Sequence, residues 1–273
     1  APEITPPGQY EAEVWHGPKD METSVSLMWK NAGRMLAQGY GGWWFDMWGG
    51  WYDDPRLLEV IRQTKDFYAK YGSVESKAMG AEVCVVVGEQ YCFMDASYGA
   101  QIGYMLLNIF ALAKTGAPYD HYLRTDLFSL DMEKYKTVWL MGVQELTDRE
   151  KDLIHSLLEK GVTVMWTGPE GTHLYSENSD IFEKDVLNYS EDQLRSIFEK
   201  AGVHIYDQGG DVFYVGRDWL CIHTLQAGEK HIDLPFEARV IDPVNEEILY
   251  RSTRTIDFDM EANSTLIFRV EPL

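Results

Sequence analysis

The sequence predicts an α/β protein in three consecutive segments. Residues 1–77 read as a (β/α) unit, 78–210 as a doubly wound, flavodoxin-like domain, and 211–273 as a small antiparallel β domain. Three observations carry this. Helical-period stretches alternate with short, wholly apolar runs between residues 81 and 201, as parallel strands buried on both faces require. The helical period then disappears after Gly209-Gly210, and short β runs separated by turn residues replace it. The charge also shifts: 11 acids and 8 bases stand in 1–77, 21 and 10 in 78–210, and 12 and 6 in 211–273.

In chain order, Thr23 and Ser24 look like helix caps before Val25, Met28, Ala32, Met35 and Leu36, and Gly39 closes that helix. Residues 42–47 read as a buried strand. Asp53-Asp54-Pro55 starts a second helix with a capping acid and a proline in the first turn, its stripe being Leu57, Leu58, Ile61, Tyr68 and Tyr71. Residues 81–88 (AEVCVVVG) are a strand and 99–114 a helix with Ile102, Met105, Leu106, Ile109 and Leu112 on one side. A short strand falls within 119–126, and 137–143 is another. Residues 147–160 form a helix opened by a capping box at Thr147 and Glu150. Residues 162–167 are a strand and 190–201 a helix. In the tail, strands are expected at 212–215, 219–225, 231–234, 239–242, 248–250 and 265–270, with turns at Gly216, Ala227-Gly228 and Asp242-Pro243.

Composition narrows the function. With 273 residues, 45% hydrophobic and 25% charged, the chain is an ordinary globular protein. Its net charge of −20 opposes a nucleic-acid partner. No apolar run approaches the roughly 18 residues of a membrane span, so no membrane partner is expected. Cys84, Cys92 and Cys221 fit neither a disulfide framework nor a zinc site, and Cys84 reads as a small buried hydrophobe. The seven histidines do not cluster at metal spacing. Neither a metal nor an organic cofactor is expected, since both phosphate-loop patterns are absent and Pro169 removes an amide from the one glycine-rich strand end. Cytoplasm and periplasm are not distinguished. The opening Ala-Pro, without Met, reads as a processed or trimmed chain.

The chemistry concentrates in residues 38–55, QGYGGWWFDMWGGWYDDP. Seven of the thirteen residues from Tyr40 to Tyr52 are aromatic, with Asp46 among them and Asp53-Asp54 following. Flat indole faces beside carboxylates suit a sugar: the C–H face of a pyranose packs on a ring and carboxylates accept from its hydroxyls. The competing reading is an aromatic-rich core corner. Glycoside hydrolysis needs two carboxylates astride the bond. Glu11, Glu13, Glu22, Asp46, Asp53 and Asp54 are near in sequence, yet no two make a convincing couple, and Asp53 and Asp54 are equally well explained as helix-start acids. No nucleophile elbow is present. Cys92 with His121 as base is a formal possibility that no spacing rule supports.

The segment GYGGWWFDMWGGWYDDPRLLEVI resembles the eighth strand, loop and last helix of family 42 β-galactosidases and related barrel glycoside hydrolases. AEVCVVVGE, TVWLMGV and GVTVMWTGPEG resemble that family's amidotransferase-like trimerisation domain, and DWLCIHTLQAGEKHIDLP with STLIFRVEP its C-terminal β domain. The resemblance implies the last units of a (β/α)8 barrel over 1–77. A whole barrel takes about 250 residues, which this segment cannot hold. It also implies that Trp44, Asp46, Trp48 and Trp51 border a sugar subsite, that the substrate is a carbohydrate, and that the chain assembles as a homo-oligomer, a trimer. The family's two catalytic glutamates lie on the fourth and seventh strands, and neither role passes to any residue here. The expectation is therefore the C-terminal portion of a bacterial-type glycoside hydrolase, inactive alone. The alternatives are a non-catalytic carbohydrate-binding or assembly module and an amidotransferase-like hydrolase using Cys92.

Overall fold

A computed structural model describes residue 18 and residues 20–46, 49–72, 78–90, 100–168, 170–177, 179–184 and 187–273; the side chains of 100–104 and 184 fall outside that description. The chain forms two compact units, the first made of residues 1–80 together with 211–273 and the second of residues 81–210. One carries a mixed, mostly parallel sheet and the other a separate antiparallel sheet.

In the first unit, helix α1 (Met21–Gln38) starts two residues earlier than the Thr23-Ser24 reading. Asp20 is its cap: the carboxylate accepts from the Thr23 amide at 2.7 Å and the Thr23 hydroxyl at 3.0 Å. An acidic acceptor outcompetes a hydroxyl at the positive helix end. Gly39 terminates α1 with φ 73°, as expected. Helix α2 (Pro55–Tyr71) has Asp54 as cap and proline in its first turn. Its inner face is Leu57, Val60, Thr64 and Phe67; Leu58, predicted to be inward, is exposed. The true stripe keeps a strict three- and four-residue rhythm, which admits Thr64 because its hydroxyl donates to the Val60 carbonyl at 2.7 Å.

The antiparallel sheet comprises β7 (Val212–Gly216), β8 (Trp219–Thr224), β9 (Gly228–Asp242), β10 (Glu247–Met260) and β11 (Ser264–Pro272), in the order β10-β9-β11-β8-β7. The strands predicted at 231–234 and 239–242 are one strand, and 248–250 is the start of another; Pro235 and the register shifts between β9 and β10 interrupt the pattern without ending the strands. Helix α1 lies on β7, β8 and β11. The approach is close enough that a Cβ on Gly33 would meet Cys221 Sγ at 2.4 Å. The β7–β8 turn holds Arg217 and Asp218 at φ 52° and 62°, the pair of positive values a two-residue hairpin demands.

That turn ties the unit together. Arg217 donates to the carbonyls of Gly39 at 3.4 Å and Gly72 at 2.9 Å, placing a cation at the C-terminal ends of both helices. Arg269, 2% exposed, donates to the Arg217 carbonyl at 3.0 Å and lies 3.5 Å from Asp218. Its guanidinium stands over the Tyr71 ring at 4.5 Å and the Trp219 ring at 4.9 Å. A polar triad joins α1, β8 and β11: Thr265 Oγ1 donates to the Ser26 carbonyl at 2.7 Å, so it accepts from His223 Nδ1, 2.9 Å away.

The second unit has strands β1 (Val83–Val87), β2 (Tyr119–Leu123), β3 (Thr137–Met141), β4 (Thr163–Gly168), β5 (Gly171–Ser176) and β6 (Ser179–Lys184), ordered β2-β1-β3-β4-β5-β6. The first four in that order are parallel; β5 and β6 form an antiparallel hairpin that the sequence reading missed. Its polar composition, with only Leu174, Ile181 and aromatic residues as apolar members, hid it. Helices α3 (Ala100–Leu112), α4 (Asp148–Glu159) and α5 (Glu191–Lys200) cover the sheet on both faces. Trp139, Leu112, Leu194 and Phe198 fill one side; Val138, Leu140, Ile154 and Leu157 fill the other. Leu106 is exposed, against expectation, because Asn108 takes the inward position of α3. Its amide donates to the Leu187 carbonyl at 2.7 Å and accepts from the Tyr189 amide at 3.0 Å.

Two consequences are measurable. Arg269→Ala strands the Asp218 carboxylate and is expected to cost about 3–5 kcal/mol by denaturant unfolding; Arg269→Lys recovers little, since an ammonium cannot stack on both rings. His223 is 4% exposed, and burial, then the nearby Lys30, depresses its pKa from 6.5 to about 4. The unfolded chain takes up that proton first, so stability is intact above about pH 6.5 and declines as pH falls toward 4, by about 3 kcal/mol at most. Unfolding free energies across that range should lose this slope in His223→Phe.

Candidate functional site

The aromatic segment lies between α1 and α2. Residues 42–46, predicted as a buried strand, have no regular secondary structure, and Trp43 is 75% exposed. A strand needs partners for its amides and carbonyls, and no described strand pairs with this segment. The run Trp43-Trp44-Phe45 imitates a strand by composition alone.

Side chains still organise it. Trp43 and Phe45 meet edge to face with ring centres 5.2 Å apart. Trp44 and Tyr52 are partly buried against Met28, Leu57 and Val60 of α1 and α2. The Asp46 carboxylate faces back into its own loop, accepting from the Gly49 amide at 2.8 Å and the Trp51 amide at 3.3 Å. Gly49 and Gly50 make the turn at φ 80° and 85°, where only glycine is unstrained. Trp51 is 2% exposed, beneath the loop. Of the four residues marked from sequence, Trp44, Asp46 and Trp51 therefore belong to one loop held on the helix pair. Trp48 lies outside the described residues, as do Met47, Glu11, Glu13 and Cys92. The sequence reading passed over Trp43, the most open indole of the described loop; the doublet Trp43-Trp44 with alternate burial was the available signal.

Among the described residues, the carboxylates near this loop do not form a hydrolytic pair. Asp54 is held by Arg56, whose Nε and Nη2 donate at 3.0 and 2.9 Å, and by its amide at 2.9 Å. These bonds bring the Asp54 pKa down to about 2, opposite to the rise that a general acid needs. Glu22 lies in the first turn of α1.

The amidotransferase alternative rests on Cys92, which lies outside the described residues; the two described thiols are Cys84 and Cys221. Cys84 is buried in β1 and desolvation pushes its thiol up to about 12; Cys221 is also buried and raised. Neither is a reactive thiolate. At the C-terminal ends of β1–β3, where a doubly wound sheet places its ligands, an ion-pair network is found. Arg124 grips Glu150 at 2.6 and 2.7 Å, Glu150 accepts from the Thr147 amide and hydroxyl at 2.7 and 2.8 Å, and Glu89 accepts from the Arg124 and Thr125 amides. Burial pushes the Glu150 carboxyl up, but the Arg124 and Thr147 bonds outweigh it and hold it low. Among the described residues no group of His, Cys, Asp and Glu could hold a metal. Among the described residues no helix is long and apolar enough to cross a membrane.

No protein-family model and no curated protein matches the chain. Solved structures do. Gan42B, a GH42 β-galactosidase, aligns over 79% of this chain and 44% of its own, at 9% identity and a TM-score of 0.50. The β-galactosidase of the psychrophilic Marinomonas ef1 aligns over 93% and 50%, at 10% identity and 0.52. The α-L-fucosidase isoenzyme 2 of Paenibacillus thiaminolyticus aligns over 91% and 57%, at 12% and 0.53. The chain thus spans about half the length of these structures. What it shares with them is the fold.

Proposed function

We propose that this chain is the C-terminal portion of a glycoside hydrolase of β-galactosidase type, one that cleaves O-glycosidic bonds of a carbohydrate. Residues 1–77 would be the end of its (β/α)8 barrel, 78–210 a flavodoxin-like domain for assembly, as a trimer by resemblance, and 211–273 a C-terminal β domain. The observation that carries the reading is the fold match to GH42 and other β-galactosidases across 79–93% of the chain. The strand order β2-β1-β3-β4, parallel and covered on both faces, supports the flavodoxin-like comparison. The ion-pair network at the strand ends supports a domain kept for structure.

In this reading the loop of Trp44, Asp46, Trp48 and Trp51 lines one side of the sugar site. Asp46 positions the loop through the Gly49 and Trp51 amides, buried Trp51 anchors it, and the open Trp43 ring beside Trp44 offers a stacking face. In this reading the acid–nucleophile pair comes from elsewhere in the parent protein and the chain alone is inactive. A non-catalytic carbohydrate-binding or assembly module is the second reading; the exposed Trp43 favours it.

The test is turnover of aryl β-galactosides by this polypeptide and by a parent carrying the barrel. Activity in the parent alone is expected; activity in the chain alone would overturn the inactivity, and none in either would leave the binding module. Asp46→Ala is expected to loosen the loop, costing roughly 1 kcal/mol of stability and weakening sugar binding. Trp48→Ala should weaken binding by roughly 1–2 kcal/mol at little cost in fold. A cooperative collapse of thermal stability in Trp48→Ala would make that residue core instead.

A further inference from the structure

The outer face of α3 is apolar where a surface helix is ordinarily charged. The helix carries no charged residue, in a chain of which 25% is charged. Its Asn108 is buried, held by the Leu187 carbonyl and the Tyr189 amide, whereas Leu106, Leu107 and Phe110 are 45%, 54% and 63% exposed. Polar inward and apolar outward reverses the usual pattern, and a contiguous apolar face of this kind marks an interaction surface.

Beside that face lies a recess of about 410 Å3 between α3 and β2, the edge strand of the sheet. Val87, Met105, Leu106, Ile109 and Leu123 wall it, and Leu123 is itself 49% exposed. Asp126 is the one acidic residue in its lining. A cavity of about 150 Å3 already holds a benzene, so the recess has room for a phenylalanine ring. Phe110 stands one helical turn beyond Leu106, which places an open ring and a socket for such a ring on the same face.

We propose that this face binds the same face of a second copy of the chain, α3 against α3 across a two-fold axis, each Phe110 ring entering the other copy's recess. Ring and socket are self-complementary: an antiparallel crossing centred near Leu107 sets each Phe110 over Met105 and Leu106 of the other copy, which is an isologous contact. Charge favours a copy over a basic partner. With a net charge of −20, copies repel through most of their surface and meet at low cost only where charge is absent, while a basic partner would seek an acidic face. The area also fits. The open parts of Leu106, Leu107, Phe110 and Leu123 amount to roughly 400 Å2, against the about 800 Å2, a little over half of it apolar, that each partner of a stable pair buries. The pairing goes beyond the proposed trimer. A two-fold contact cannot close a ring of three, so it gives two copies by itself and six where it joins two trimers.

The experiment is analytical ultracentrifugation of the full chain at micromolar concentrations, with three variants beside it. The unaltered chain is expected at two or six times its own mass. Phe110→Asp should halve that mass, raising the Kd of the pair about 30-fold or more, the loss of a central aromatic anchor. Leu107→Gln, a good helix former at an open position, should halve it too and serves where Phe110→Asp does not fold. Phe182→Asp alters an exposed ring on β6 and should leave the mass unchanged. A mass of one or three copies for the unaltered chain overturns the pairing; three spares the proposed trimer, and one removes both. A mass unmoved by Phe110→Asp and Leu107→Gln overturns the pairing and leaves assembly to another surface. Equal dissociation by Phe182→Asp overturns it as well, because added charge alone would then suffice.

Discussion

The first unit depends on one buried cation. Arg269 sits on β11 with almost no exposure, between the Tyr71 and Trp219 rings and beside Asp218. Burying a guanidinium is unfavourable unless charge, hydrogen bonds and ring faces replace its water. Each replacement here comes from a different part of the chain: the end of α2, the start of β8, and the β7–β8 turn. The turn in turn holds Arg217 against the carbonyl ends of both helices. The helical segment and the antiparallel sheet, 145 residues apart in sequence at the Arg217–Gly72 bond, are thereby one body.

The second unit uses a comparable node for a different purpose. Glu150 caps α4 and simultaneously receives both arms of Arg124, while Glu89 clamps the amides that follow β2. Three strand ends of the parallel sheet are thus closed by charge-assisted bonds. Doubly wound sheets hold their ligands at that edge, and the arrangement is consistent with a domain whose proposed contribution is assembly.

The aromatic loop illustrates how one residue type serves two demands. Asp46 has the look of a substrate-facing carboxylate, yet both its oxygens close the glycine turn. A loop that must present indoles to a ligand needs such internal bonds, because exposed aromatic side chains cannot fix a backbone by packing. Trp51 beneath and Trp43 above then divide the aromatic residues between anchoring and exposure.

Much of this was legible in the amino-acid order. The capping box at Thr147, the proline start of α2, the glycine end of α1 and the all-apolar strands carry local signals strong enough to stand without tertiary context. The fold resemblance was also legible, through the order of those elements. What the sequence could not decide was set by partners distant in the chain. Residues 42–46 have strand composition but no strand beside them. Asn108 is polar yet fully buried, because Leu187 and Tyr189 satisfy it. Arg269, an ordinary exposed-looking cation in STLIFRVEP, became the centre of the first unit. Local propensity and periodicity are properties of a segment, whereas burial, pairing and charge compensation belong to whatever the folded chain brings alongside it.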